Sequence, residues 1–278
     1  MAEITSVMVQ ELREATNVGM MECKRALVEA GGDRAKAIKL LRERGMAIAA
    51  KKASRATNQG LIASVLAGGG KIGSLIEVNC ETDFVAKNEN FQSFVKRLAE
   101  KATTLDGSLA DAVRDEVATK VTETGENIVV RRSLRYVRQG EGLIVSYIHL
   151  GGKVGVLLEV GCEKQGTADN ESFKELARDL TLHIAACSPK YLVRAEVPAD
   201  VLAAEREIYA KQVENKPKPI IEKIVDGKVN KFYSQVCLME QLFVRDQETV
   251  IAKLLETKGK ALGDTLKIRR FTRFQLGE

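Results

Sequence analysis

The chain has 278 residues, enough for one large domain or two to three small ones. Hydrophobic residues make up 45% and charged residues 29%, the balance of a folded globular chain, and no apolar run approaches the roughly 20 residues of a membrane span. The start MAEITSVMVQ lacks the basic and apolar regions of a signal peptide, so the reading is cytoplasmic, with no membrane partner. A net charge of +5 and 5% aromatics without tryptophan give neither a dense basic stripe nor a base-stacking platform. The five cysteines, Cys23, Cys80, Cys162, Cys187 and Cys237, are scattered and form no CxxC pair, which predicts reduced thiols. With His149 and His183 as the only histidines, most His-built metal centres are ruled out.

The first fifty residues carry helix signals alone. Thr5 or Ser6 can cap a helix with Met8, Val9 and Leu12 on one face. A second, Met20 to Ala30, repeats Cys23, Ala26, Leu27 and Ala30 until Gly31-Gly32 stops it. Asp33 caps a third, with Ala37, Ile38 and Leu41 inward and Gly45 at its end. Such a bundle is marginal alone and calls for a larger body to lean on; the polar run Lys51 to Gln59 suits a linker.

From Gly60 the pattern alternates. Leu61 to Ala67 and Gly73 to Asn79 read as strands joined by a turn at Gly68 to Lys71, followed by a polar loop and a helix from Glu89 bearing Phe91, Phe94, Val95 and Leu98. The string GGGKIG mimics a dinucleotide loop, but a strand follows where a helix would be needed to meet phosphates. The carboxylates fall mostly in helical charge patterns and read as solvated.

An internal repeat organises the rest. Shifted by 82 residues, Gly60 to Glu81 lies on Gly142 to Glu163 without gaps, identical at 13 of 22 positions. Phe91, Phe94 and Leu98 then meet Phe173, Leu176 and Leu180. A third strand, Ile128 to Val137, matches Leu266 to Gln275 at an offset of 138, which leaves an insertion of 56 residues in the second copy. All four prolines, Pro189, Pro198, Pro217 and Pro219, fall there, around two helical segments that read as a protruding hairpin. The expected fold class is α+β: a three-helix bundle, two duplicated subdomains with small antiparallel sheets, and an inserted helical hairpin. The predicted divisions are 1–52, 53–140, 141–187 with 240–278, and 188–239.

Where two copies of one scaffold diverge, function can have been grafted onto one. The first copy follows its second strand with Thr82-Asp83-Phe84-Val85; the second has Lys164-Gln165-Gly166-Thr167. Phe84 either tucks into its own core or forms an apolar wedge presented to a partner. A ribosome- or RNA-associated binding protein and a thiol enzyme are competing readings, to be told apart by salt-dependent RNA affinity and by fast alkylation of a cysteine.

Three blocks carry a resemblance: Met20 to Leu27, Val78 to Asn88, and Ile221 to Val244. They resemble the elongation factor Ts family, in the family's order and over essentially the whole chain. Asn17 stands where that family usually has glycine, and asparagine is the next best residue for a left-handed turn. The resemblance implies no enzyme but a guanine-nucleotide exchange factor that binds elongation factor Tu, with no cofactor, no metal and no direct nucleic-acid contact. It implies a ubiquitin-associated-like amino-terminal bundle touching the partner through Met20, Met21 and Lys24. Thr82, Asp83, Phe84 and Val85 would disturb the partner's magnesium site, and Ile128, His149, Phe243 and Val244 match further contact positions. The insertion would correspond to a coiled-coil or dimerisation module, compatible with a homodimer or a 2:2 complex.

Overall fold

The computed structural model describes residues 4–16, 18–213 and 217–278; the turn expected at Asn17 lies outside them. Three helices come first, α1 (Ser6–Thr16), α2 (Met20–Glu29) and α3 (Arg34–Lys52). Thr5 Oγ1 accepts from Met8 N at 3.3 Å and Asp33 Oδ1 from Lys36 N at 3.0 Å, the caps that start α1 and α3. Val9, Leu12, Cys23, Ala26, Leu27, Ala37 and Leu41 close the core among them.

Helix α3 departs from expectation. It does not end at Gly45 but runs on to Lys52, leaving only residues 53–58 as connector. Gly45 is a contact point instead: a Cβ there would lie 3.0 Å from Thr122 Oγ1 and 3.5 Å from Ala118 O. Ile38, expected inward, is 39% exposed at the crevice between α3 and that neighbouring helix.

The first sheet holds β1 (Gln59–Ala67), β2 (Ile72–Cys80) and β3 (Val129–Val137) in that order, all antiparallel. Between β2 and β3 come α4 (Asp83–Lys87), α5 (Glu89–Ala102), α6 (Leu109–Ala112) and α7 (Arg114–Thr124). The second sheet joins β4 (Gly142–His149), β5 (Val154–Gly161) and, from the far end of the chain, β8 (Lys267–Gln275). Between β5 and β8 lie α8 (Glu171–Cys187), α9 (Ala199–Lys211), α10 (Lys218–Val236), the short hairpin β6 (Leu242–Phe243) with β7 (Asp246–Val250), and α11 (Ile251–Leu262). The architecture is α+β with small antiparallel sheets.

Each sheet buries one face under a helix. Ile76, Val78 and Cys80 meet Phe91, Phe94, Val95 and Leu98 of α5, and Val156, Leu158 and Val160 meet Phe173, Leu176 and Leu180 of α8. The other faces pack on each other through Ile62, Leu75, Tyr136, Ile144, Leu157 and Phe274. The contact has near-twofold symmetry, because sister residues exchange equivalent bonds. Ser64 Oγ bonds Ser146 Oγ at 3.0 Å; Ile62 N donates to Gly152 O at 2.8 Å, and Ile144 N to Gly70 O at 2.9 Å. Close approach requires glycine at the turns: Gly70 and Gly152 have φ of 82° and 91°, and each sits under a sister leucine, Leu143 or Leu61.

Two carboxylates contradict the expectation of solvated acids. Glu77 and Glu159 are fully buried in this interface. Arg132 Nε lies 2.7 Å from Glu77 while its guanidinium stacks over Phe274 at 4.1 Å; Arg270 Nε lies 2.8 Å from Glu159 and stacks over Tyr136 at 4.0 Å. Each arginine also caps a carbonyl of the opposite sheet's outer strand, Gln275 O and Val137 O, at 2.7 Å. Buried charge of this kind is tolerated only when paired and fully hydrogen-bonded.

Gly155 tests how tight the fit is. A Cβ there would come within 2.4 Å of Ile62 Cγ2 and 2.9 Å of Leu75 Cδ1. Gly155→Ala is expected to destabilise the chain by about 1–3 kcal/mol through overpacking, read as a lower urea midpoint at unchanged slope.

Candidate functional site

The segment after β2 is not a polar loop but one turn of helix, α4. Thr82 caps it, accepting from Val85 N at 3.3 Å. Thr82 is itself held: Glu126 Oε2 accepts from the N–H groups of Glu81 and Thr82 at 3.0 Å, and Thr82 Oγ1 donates to Glu126 Oε1 at 2.5 Å. Glu126 can reach back because Gly125, at φ 73°, ends α7 in a left-handed turn. Below, Ala86 is buried and Val85 packs on the α5 core; above, Phe84 stands 81% exposed, the most exposed of the large hydrophobic residues described. The tucked alternative for Phe84 is thereby excluded. The loop is anchored by polar bonds on one side and apolar burial on the other, which leaves the aromatic ring outside.

Asp83 is exposed and pairs with Lys87 at 2.7 Å. That hydrogen bond holds its carboxyl below the usual aspartate range, so it is ionised at neutral pH. Cys80, at the root of the loop, is pushed up to about 12 by burial and by the nearby Glu126. Burial also raises Cys162, Cys187 and Cys237. Thiols shifted in this direction are poor nucleophiles, which weighs against the thiol-enzyme reading.

The second copy keeps the anchor and omits the aromatic. Asp264, the sister of Glu126, accepts from Glu163 N, Lys164 N and Thr167 Oγ1 at 3.2, 3.1 and 2.6 Å. Ala168 is buried like Ala86, but Gly166 occupies the place of Phe84. The second copy therefore has the carboxylate anchor without the aromatic, and its backbone turns at Gly166 with φ 85°.

The remaining expected site residues divide by exposure. On α2, Met20 is 50% and Met21 65% exposed, Lys24 is exposed beside them, and Val28 extends the apolar strip, a residue the sequence reading passed over. His149 is exposed at the β4–β5 hairpin, where its Nδ1 meets Tyr147 OH at 2.8 Å. The adjacent Leu150 was missed: it is 68% exposed and held at φ 49°, which is unusual for a leucine. This hairpin is tied to the start of β1, where Lys153 Nζ donates at 3.0 Å to Gln59, the residue paired with Cys80.

Two of the expected contact positions are buried in the free chain. Ile128 is 3% exposed in the α5 core, and Phe243 is 7% exposed and packs on His183 at 6.1 Å between ring centres. Their strongly apolar character is used for packing. Val244 stays 40% exposed, held by its N–H donating to His183 Nδ1 at 3.2 Å. Among the described residues, no group of three or more His, Cys, Asp or Glu side chains is placed to hold a metal ion, and no helix is long and apolar enough to cross a membrane.

The described fold is thus an α+β chain of two sister sheets that presents an exposed aromatic on an anchored turn. A family model described as Elongation factor TS matches residues 81–278. Elongation factor Ts of Nitratidesulfovibrio vulgaris strain DP4 is 45% identical, covering 99% of this chain and 96% of its own length. Those of Trichlorobacter lovleyi and Clostridium kluyveri are 41% and 43% identical, each covering 99% of this chain and 93% of their own. The chain belongs to the elongation factor Ts family.

The Asp264 anchor makes a pH prediction. Desolvation would raise the Asp264 carboxyl, but hydrogen bonds from Thr167, Lys164, Thr265 and Glu163 outweigh it and hold it at about 2. Its folded value is depressed below the unfolded one of about 3.9, so its contribution is complete above pH ~4 and is lost as pH falls through 2. Hydrogen exchange at the Lys164 amide should accelerate over that window, and Asp264→Asn should flatten the response.

Proposed function

We propose that the chain is a guanine-nucleotide exchange factor for elongation factor Tu, and that the Thr82–Val85 turn is the element that disturbs the partner's magnesium and phosphate site. Family membership supports the exchange role. The observation that carries the mechanism is Phe84, fully presented on a turn fixed from both sides. An exchange factor needs no nucleophile of its own. It lowers the barrier to nucleotide loss by binding the nucleotide-poor form more tightly, and coupling is reciprocal: bound nucleotide weakens the factor's grip by the same ratio.

The groups available match that task. Burying the Phe84 ring in the partner is worth ~1.5–3 kcal/mol, and each ~1.4 kcal/mol is a factor of ten in rate if realised at the transition state for release. The ionised Asp83 brings negative charge toward a site whose own balance rests on a cation and phosphates. Met20, Met21, Lys24 and Val28 form the second contact, on the ubiquitin-associated-like bundle of residues 1–52. His149 and Val244 extend the surface, with Ile128 and Phe243 supporting it from beneath. In this reading 53–140 and 141–187 with 240–278 are the two core subdomains, and 188–239 is a helical module serving either a homodimer or a 2:2 complex in the cytoplasm.

Phe84→Ala is expected to slow stimulated GDP release by roughly ten- to a hundredfold while leaving the urea midpoint unchanged. Release of labelled GDP from elongation factor Tu, with and without the variant, reads this directly; a wild-type rate excludes Phe84 as the wedge. Met21→Ala should instead weaken affinity, raising the concentration needed for half-maximal stimulation and leaving the saturating rate nearly intact.

A further inference from the structure

The third strands of the two sheets carry three sister pairs of arginines, 138 residues apart. Two pairs behave alike. Arg132 and Arg270 each bind a buried glutamate and a ring, while Arg135 and Arg273 donate through Nε to the sister carbonyls of Thr103 and Ala185 at 2.7 and 3.4 Å. The third pair, Arg131 and Arg269, does not. Both are the extra residue of a β-bulge: Val130 and Arg132 face Val78 and Glu77, and Ile268 and Arg270 face Val160 and Glu159. A bulge re-aims its side chain, and these two are aimed differently.

Arg269 lies folded down. Its side chain is 14% exposed, Nη1 is 3.4 Å from Glu159, and a Cβ on Gly161 would come within 2.5 Å of its Cζ. Arg131 stands out, 42% exposed, with Nε 4.0 Å from Glu77 and Nη2 donating to Glu278 O at 2.5 Å. The position sister to Gly161 is Asn79, and a side chain there fills the slot that Arg269 uses. Asn79 is 1% exposed, and neither Nδ2 nor Oδ1 has a hydrogen-bond partner among the described residues. A buried amide left so is costly, and glycine would both remove that cost and let Arg131 down onto Glu77. The first copy keeps this buried amide on the strand that leads into the Phe84 turn.

We infer that Asn79 is a spacer that keeps Arg131 out of its sister's slot and presents the guanidinium to a carboxylate on the docked GTPase. The inference rests on the exchange-factor reading. Continuity with the turn supports it: Asn79 pairs with Val129 and Asn127 N donates to Glu81 at 2.6 Å, so β3 rises from the anchor of the Phe84 turn to Arg131. A carboxylate is the group that a planar guanidinium fork matches on a protein surface. Asn79 acts through Arg131 and is a positioning residue.

The test compares Arg131→Gln, Asn79→Gly and Asn79→Ala, measuring affinity for nucleotide-free elongation factor Tu from about 50 to about 500 mM salt. Arg131→Gln should bind roughly two- to fivefold more weakly at low salt, with the gap closing at high salt as the pair is screened. Asn79→Gly should follow it, because the slot opens. Asn79→Ala, whose Cβ still fills the slot, should bind as wild type, which separates the spacer role from loss of the amide. A crystal structure of free Asn79→Gly, which needs no partner, should show Arg131 folded over residue 79. Wild-type affinity for Arg131→Gln at low salt, equal weakening by both Asn79 variants, or an outward Arg131 in the glycine variant overturns the inference. A wild-type chain that does not speed GDP release would mark failure of the exchange reading instead.

Discussion

Everything outside the amino-terminal helices hangs on the contact between the two sheets, and that contact hangs on two glutamates with no access to water. Glu77 and Glu159 sit at sister positions on the central strands, and each is neutralised by an arginine whose flat face covers a ring of the other sheet. Apolar packing supplies attraction but little direction. The ion pairs and capped carbonyls fix register, because sliding one sheet by a residue would strand a charge in the core. Hence both sheets have small polar contacts near the middle and leucines at the ends, where the glycine turns of one copy receive Leu143 or Leu61 of the other.

This frame explains how one copy could acquire a contact element without unsettling the other. The carboxylate anchor after each helix, Glu126 or Asp264, closes the same turn in both halves. With the turn secured from behind, the outward residue of the first copy has no packing to do and can be phenylalanine. In the second copy the backbone turns left-handed at Gly166, φ 85°, a conformation that favours glycine. Exposure of a large aromatic costs the free protein solubility and gains nothing in folding. Its presence on the anchored turn is the physical ground for assigning it to a partner.

Much of this was legible in the sequence because duplication repeats the reasons along with the residues. The offset of 82 located both hairpins and both covering helices, and the 138 offset located the third strands. What stayed hidden was long-range. Nothing in the alternation around Glu77 says that its polar face meets a second sheet; a buried, paired acid and a solvated one look the same in one dimension. Gly45 reads as a helix stop until Thr122 and Ala118 are seen pressing on it. Ile128 and Phe243 carry apolar side chains suited equally to a core and to a contact, and only tertiary burial separates the two uses. The Phe84 turn was found by divergence between copies, whereas Leu150 escaped because hairpin tips are read for their glycines.

The length of α3 carries its own consequence. Its nineteen residues form one uninterrupted rod of about 28 Å. It is gripped near its middle by α7 and bonded at its end through Lys52 to Gly125 O, one residue before the carboxylate that secures the Phe84 turn. The methionines of α2 and the distant phenylalanine are therefore two jaws of a single caliper rather than beads on a string. In the exchange role proposed above, a partner surface would have to offer its two hollows at that one separation, so a distance is matched along with the side chains.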